Sequence, residues 1–256
     1  MKLGLASFIL YKMNQRTNDE AERTHRNLRM VQASADGPKK EAGIMLIEVY
    51  HDLLCPWCRI GRRHLEIALR EWQPLSGREA IVRYSPYLLH PDVPPEGLPF
   101  RSAMAARSGG QAALRRSLRH VNQDGQALGL TFRFERIAQL PSTRLAHQAL
   151  SLTPAKEQAA FADELSRRYF EEGENIGELP IITEAGTAAG WNAQELLERL
   201  QHDDGRVEME AQLELGRRIG LDGVPLFIFE GQYALSGAYP HPELLLLLKK
   251  LGQLLR

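Results

Sequence analysis

The chain has 256 residues with 32 basic and 32 acidic side chains, so its formal charge is zero. That balance argues against a nucleic-acid partner, and no stretch approaches the ~20 apolar residues needed to span a bilayer. Two cysteines in the whole sequence exclude the dense disulfide framework of a small secreted protein.

Lys2 precedes an apolar run over residues 3–11 that breaks at Lys12, Asn14, Gln15 and Arg16 without a small-residue cleavage site. The A-x-A match, Ala33-Ser34-Ala35, lies beyond several charges. A cytoplasmic location is therefore expected, with an amphipathic basic targeting segment left open. Residues 1–44 carry no coherent strand or helix period, and Asp36-Gly37-Pro38-Lys39-Lys40 has linker composition. This segment is expected to be a disordered extension, or an over-long start ahead of Met45.

A buried strand is expected over residues 45–50, followed by Cys55-Pro56-Trp57-Cys58 and a helix over 59–72. Cys58, Leu65, Leu69 and Trp72 fall on one face of that helix. A second strand over 80–87 completes a β-α-β unit, whose crossover helix implies parallel pairing. The proline-rich stretch 91–99 ends it. From residue 101 to about 220 the pattern reads as helical throughout, with breaks at Gly125, Pro141, Gly173 and Pro180. Strands return at 226–229 and 233–236 around the turn Glu230-Gly231-Gln232. A helix over 241–255 closes the chain, its Leu244 to Leu248 cluster too short for a membrane. The order predicts an α/β protein, a thioredoxin-like fold interrupted by an inserted all-helical domain. Its expected parts are the extension 1–44, thioredoxin-like residues 45–97, a helical insertion over 98–190, and thioredoxin-like residues 191–256.

The chemistry concentrates at Cys55 and Cys58. A bridge closing a loop of two residues removes little chain entropy, so a purely structural role is disfavoured. Cys55 is expected at a helix N-terminus with Pro56 at the first helical position, where a missing N–H costs nothing. Free amides and the positive end of the helix dipole then favour its thiolate. Cys58, one turn on and more buried, is the expected resolving thiol. Trp57 offers an apolar ring that either contacts substrate or covers the site. Val224-Pro225 precedes a strand, and X–Pro bonds are cis only about 5% of the time. A cis bond here would set backbone groups beside the dithiol, where an extended substrate segment could add as a strand.

These residues, with their neighbours, resemble the DsbA family of thioredoxin-fold oxidoreductases, in its FrnE-like branch. The resemblance is carried by His51-Asp52-Leu53-Leu54-Cys55-Pro56-Trp57-Cys58 with Ile60-Gly61, by Tyr84-Ser85-Pro86-Tyr87-Leu88-Leu89-His90-Pro91 and by Pro95-Glu96-Gly97. Ala146-His147, Tyr169-Phe170-Glu171-Glu172-Gly173, Gly223-Val224-Pro225-Leu226-Phe227 and Ser236-Gly237-Ala238 complete it. It implies Cys55 as nucleophile, Cys58 as resolving cysteine, Pro225 in cis, and a helical lid over the site. Pro56, Trp57, Val224 and Pro225 are the implied substrate-binding positions. Asp52 either accepts the Cys58 proton or bonds turn amides, the second being favoured. Ser142 stands where relatives are expected to carry Asn, which limits that position to capping the next helix.

The implied activity is dithiol–disulfide exchange with protein or peptide thiols. No tightly bound cofactor is expected, glutathione is a candidate co-substrate, and glutathione or a thioredoxin-type protein a candidate reductant. Pro-Trp between the cysteines does not fix the direction of electron flow. Kappa-class glutathione transferases and 2-hydroxychromene-2-carboxylate isomerases share the split architecture but resemble a version with Ser where Cys55 stands. A zinc site using Cys55, Cys58 and His51 or His64 lacks the second ligand pair such sites want, so no metal is expected. An idle scaffold would leave the dithiol unexplained. Arg101, Arg107, Arg115, Arg116 and Arg119 run without an acid between Glu96 and Asp124. They read as a solvated face pairing with Glu171, Glu172 and Glu174. His147, on an apolar helical face, reads as a packing residue.

Overall fold

A computed structural model describes residues 28–30 and 43–254. Five strands form the main sheet, in the order β1-β7-β6-β2-β3: β1 (Leu28–Met30), β2 (Ile44–His51), β3 (Glu79–Pro86), β6 (Leu226–Phe229) and β7 (Tyr233–Ser236). β2 pairs parallel to β3 and antiparallel to β6, with Ile47 opposite Phe229 and Val49 opposite Phe227. The parallel pairing agrees with the expected β-α-β unit. β1 is a departure, because the segment 1–44 was expected to hold no strand. Three residues are too few to display a period of two, and the strand exists by pairing antiparallel with the β7 edge. The rest of that segment, apart from Gly43 and Ile44, lies outside the described residues.

Helix α1 (Pro56–Ser76) starts earlier and ends later than its apolar period suggests. Pro56 opens it, and Gly77, at φ 65°, closes it by donating its amide to the Gln73 carbonyl. Its Leu65, Ala68, Leu69 and Trp72 pack on Met45, Ile47, Val49, Phe227 and Phe229 of the sheet. Leu244, Leu247, Leu248 and Leu251 of the C-terminal helix α9 (His241–Leu254) complete that core. Tyr50, Ile228 and Ala234 line the opposite face of the sheet. There Gly216 of α8 (Arg206–Arg218) comes so close that a Cβ would stand 3.4 Å from the Tyr50 ring.

Between β3 and α8 lies a second layer, which is not helical throughout. It comprises α2 (Phe100–Ser108), α3 (Gln111–Gln126), α4 (Arg144–Leu152), α5 (Ala155–Arg167), α6 (Leu179–Ala188) and α7 (Ala193–Gln201). A two-stranded ladder joins β4 (Leu98–Pro99) to β5 (Gln139–Leu140). Before β5, Phe132-Arg133-Phe134 alternates buried and exposed residues, a period of two that no helix supports. α5 runs into a π-helical turn, Arg168–Glu172, that carries the buried Tyr169 and Phe170. Gly173 ends it at φ 78°, where a Cβ would stand 2.4 Å from the Arg136 carbonyl oxygen. Leu196 and Leu200 of α7 pack in this helical core, so by packing the layer ends after α7 rather than at residue 190.

Candidate active site

The dithiol turn sits where the two cores meet. Leu53, Leu54 and Ile60 are buried in the helical core, whereas Leu65 and Leu69, farther along α1, belong to the sheet core. Cys55 is the N-cap of α1: it stands in extended backbone, and its carbonyl accepts from the Cys58 and Arg59 amides. Its own amide donates to the Asp52 carbonyl at 3.1 Å. The Cys55 sulfur accepts the Cys58 N–H at 3.3 Å, so an amide of the helix N-terminus faces it. Both cysteines are free thiols; Cys55 is 4% exposed and Cys58 1%. Burial, then the adjoining Cys55 side chain and its charge, push the Cys58 thiol well above its ordinary range. The Asp52 amide works against that rise and the Asp52 carboxylate adds to it.

Val224-Pro225 is a cis peptide. The Val224 carbonyl lies 3.9 Å from the Cys55 sulfur, which brings the two distant motifs of the sequence together. Gly61 of α1 backs this junction; a Cβ there would stand 3.1 Å from Pro225 Cγ and 3.2 Å from Phe227 Cζ. Pro56 is half-buried at the first helical position. Trp57, also half-buried, packs with its ring centroid 5.4 Å from that of His120 on α3. The helical layer therefore touches the dithiol turn at this ring contact.

Asp52 is 1% exposed, and its carboxylate is held by amides as favoured: Oδ1 accepts from Leu54 at 3.3 Å and Oδ2 from Leu89 at 2.7 Å. His147 stands close by, its side chain 1% exposed and its Nε2 3.6 Å from Asp52 Oδ1, beyond hydrogen-bond length and with no hydrogen-bond partner among the described residues. Burial alone would raise the Asp52 carboxyl; the His147 ring and then the two amides outweigh it and hold the group below the usual carboxylate range. His147 is thus more than the packing residue its apolar helical face implies. The His51 ring stands edge-on to Tyr84 and His147, at 5.1 and 5.3 Å, with no hydrogen-bond partner for either nitrogen within the described protein. Burial, then the charges of His147 and Arg62, hold its pKa well below the ordinary histidine range.

Two buried arginines missed in the sequence tie α1 to the helical layer. Arg59 donates to the Thr131 carbonyl at 2.9 Å and pairs with Glu171 at 2.5 Å, its guanidinium 5.4 Å from the Phe132 ring centroid. Arg62 donates to Ser166 Oγ at 3.1 Å and lies 3.5 Å from Asp163. Their three-residue spacing on α1 is the one signal that could have paired them. The acids assigned to the arginine run are engaged elsewhere: Glu171 with Arg59, Glu172 with Arg167 and Glu174 with Arg168. Of that run only Arg107 makes an ion pair among the described residues, with Asp92. Arg101, Arg115, Arg116 and Arg119 are exposed. Ser142 does not cap α4; Thr143 holds the N-cap position without a side-chain bond.

His64 stacks on His241 at 5.6 Å, and its Nδ1 accepts the His241 amide at 3.2 Å. Burial, then the charge of His241, lower its pKa to about 4. Among the described residues no three His, Cys, Asp or Glu side chains converge as a metal-ligand set, and no helix is long and apolar enough to cross a membrane.

Solved structures with this architecture carry related names. One described as a probable DsbA oxidoreductase from Streptomyces coelicolor superposes with a TM-score of 0.73 at 24% identity, over 80% of this chain and 89% of that one. A 2-hydroxychromene-2-carboxylate isomerase gives 0.59 at 15% identity, over 82% and 96%. The cytosolic disulfide reductase DsbM of Pseudomonas aeruginosa, solved with GSH, gives 0.57 at 20% identity, over 80% and 98%. At these identities they establish the fold: α/β, thioredoxin-like, with a helical insertion. The model of the DSBA-like thioredoxin domain matches residues 46–249, most of the chain, and the protein belongs to that family.

Proposed function

We propose that the protein is a thiol–disulfide oxidoreductase in which Cys55 is the nucleophile and Cys58 the resolving thiol, in the manner of the FrnE-like branch. The observation that carries this is the Cys58 amide donated to the Cys55 sulfur, with Cys58 itself one turn deeper in the same helix. One thiol is solvated by a backbone dipole and can react as an anion; the other is sealed until a partner is attached to the first. Cys55 attacks a substrate disulfide, a mixed disulfide forms, and Cys58 displaces the substrate as its thiolate. The protein leaves oxidised and the substrate reduced; run backwards, the same steps oxidise a dithiol.

Substrates are protein or peptide thiols and disulfides. The Val224 carbonyl beside Cys55 offers an acceptor to an extended substrate backbone, with Pro56, Trp57 and Pro225 around it. Glutathione or a thioredoxin-type protein returns the dithiol to its starting state, and the cytoplasm is the proposed compartment. The test is a pair of serine variants. Cys55→Ser should lose at least about 10³-fold in turnover of a peptide disulfide, and Cys58→Ser should accumulate a mixed disulfide visible by mass spectrometry. A Cys58→Ser protein that never traps a partner would overturn the assignment.

A glutathione-dependent transferase or isomerase is the second reading, supported by the likeness to the isomerase and to DsbM with GSH. The same variant separates the two: transferase or isomerase turnover that survives Cys55→Ser belongs to the second reading and is incompatible with the first.

A further inference from the structure

Helix α3 carries positive charge beside the dithiol turn that its surroundings do not cancel. Arg115, Arg116 and Arg119 are exposed, and none of the three side chains has a partner among the described residues. Arginines on other helices do find carboxylates, Arg144 with Glu210 and Arg168 with Glu164 among them. Arg115 turns toward a cleft that it lines together with Arg101 and Glu135, so an acid partly offsets it there. Arg116 and Arg119 have no such neighbour. Arg116 stands one turn before His120, about 6 Å along the helix axis. His120 in turn meets the Trp57 ring at 5.4 Å, two residues from Cys55. The acid that follows on α3, Asp124, lies 3.7 Å from the His120 ring. On α1, Arg59 and Arg63 are paired with Glu171 and Glu66. Across the turn the exposed charge has the other sign: Asp222, two residues before Val224.

An exposed charge acts over about a Debye length, ~8 Å at physiological ionic strength. One helical turn is shorter than that, so the field of Arg116 and Arg119 covers the Trp57 edge of the site. We propose that α3 selects substrates by charge: Arg116 and Arg119 receive an acidic stretch of the peptide or protein whose disulfide Cys55 opens. This names the substrate class of the exchange proposed above and rests on it. Guanidiniums suit the task, because each can hold a carboxylate on two parallel N–H donors. A disulfide flanked by lysines meets like charge at the same edge and is turned away. With a formal charge of zero, the protein as a whole does not steer anions. Selection is therefore local: it reads the residues beside the substrate disulfide and ignores the substrate's net charge.

The experiment measures the bimolecular rate at which the protein opens fluorescent peptide disulfides of one length, with Glu, Gln or Lys beside the disulfide. At about 20 mM salt the Glu peptide should react about tenfold faster than the Gln peptide, and the Lys peptide slowest. At about 500 mM salt the three should agree within about twofold. Moving the glutamates to the far end of the peptide should abolish the preference. Arg116→Glu/Arg119→Glu should reverse the order and make the Lys peptide fastest, an outcome that loss of folding cannot imitate. Arg217→Glu/Arg218→Glu, on α8 against the opposite face of the sheet, makes the same change in net charge and should keep the wild-type order. Equal rates for the three peptides overturn the proposal, whether α3 then proves to hold single-stranded nucleic acid, an anionic vesicle or nothing. So does a preference that both double variants alter alike. If wild type opens none of the peptides, it is the oxidoreductase assignment that fails.

Discussion

The two cores differ in how they treat α1. The sheet core holds its later turns mainly by apolar contacts, through Leu65, Ala68, Leu69 and Trp72, with one polar tie from the His241 amide to His64 Nδ1. The helical core holds its first turns with Ile60 and with two buried guanidiniums, Arg59 and Arg62, bonded to the loop at Thr131 and to Ser166. Apolar packing is indifferent to direction, whereas a forked donor set fixes one orientation. The end of α1 that carries the cysteines is therefore the end whose geometry is fixed by hydrogen bonds, and those bonds run to the insertion.

If the two cores form one cooperative unit, deep truncation in either should be felt by both. Phe161→Ala in the helical core and Trp72→Ala in the sheet core should each cost about 3–5 kcal/mol, with a single unfolding transition in urea. Two separate transitions would break the comparison, since the halves would then be independent.

A smaller effect concerns acid. His51 is buried and neutral, with a folded pKa below its unfolded value, so the unfolded chain binds the extra proton. Its stabilising contribution is complete above about pH 6.5 and is lost as pH falls below that, at up to about 1.4 kcal/mol per unit. His51→Phe should flatten the fall in stability between pH 6.5 and 5 while leaving stability at pH 7.5 within about 1 kcal/mol. His64 and His90, also shifted down, should leave a residual slope. Asp52 acts in a separate window: its lowered carboxyl stabilises above about pH 3.9 and loses that contribution below it. Stability curves for the two proteins that keep parallel acid slopes would count against a buried neutral ring.

The smallest expected effect sharpens the seam itself. Gly61→Ala gains helix propensity but presses a methyl against Pro225 and Phe227, for a net loss of about 1 kcal/mol by urea denaturation. An unchanged or higher midpoint would mean that Pro225 and Phe227 yield freely where the two cores join.

Much of the fold and the core of the site were legible in the residues. The dithiol turn announces itself because Cys55, Pro56 and Cys58 obey rules of helix starts that need no tertiary information. The hairpin around Gly231 and the strand–helix–strand unit are equally local. His147, Arg59 and Arg62 were not legible, because what each touches depends on where the insertion folds back. An apolar helical face with one histidine looks the same whether or not a carboxylate waits beneath it. The extended run through Phe132 and Phe134 escaped for a different reason: two alternations are too few to stand out between helices. The arginine run was legible as exposed, but its partners were not, since nearer guanidiniums had claimed the acids.

Cys55 has only 4% of its surface open. Under the proposed exchange, a residue so recessed would act as a steric gate for anything meant to react with it. A disulfide flush with the surface of a rigid globule cannot be brought into line with it, whereas one carried on a protruding, pliable loop can. Partner choice would then follow how far the target chain can reach, before any preference for its side chains comes into play.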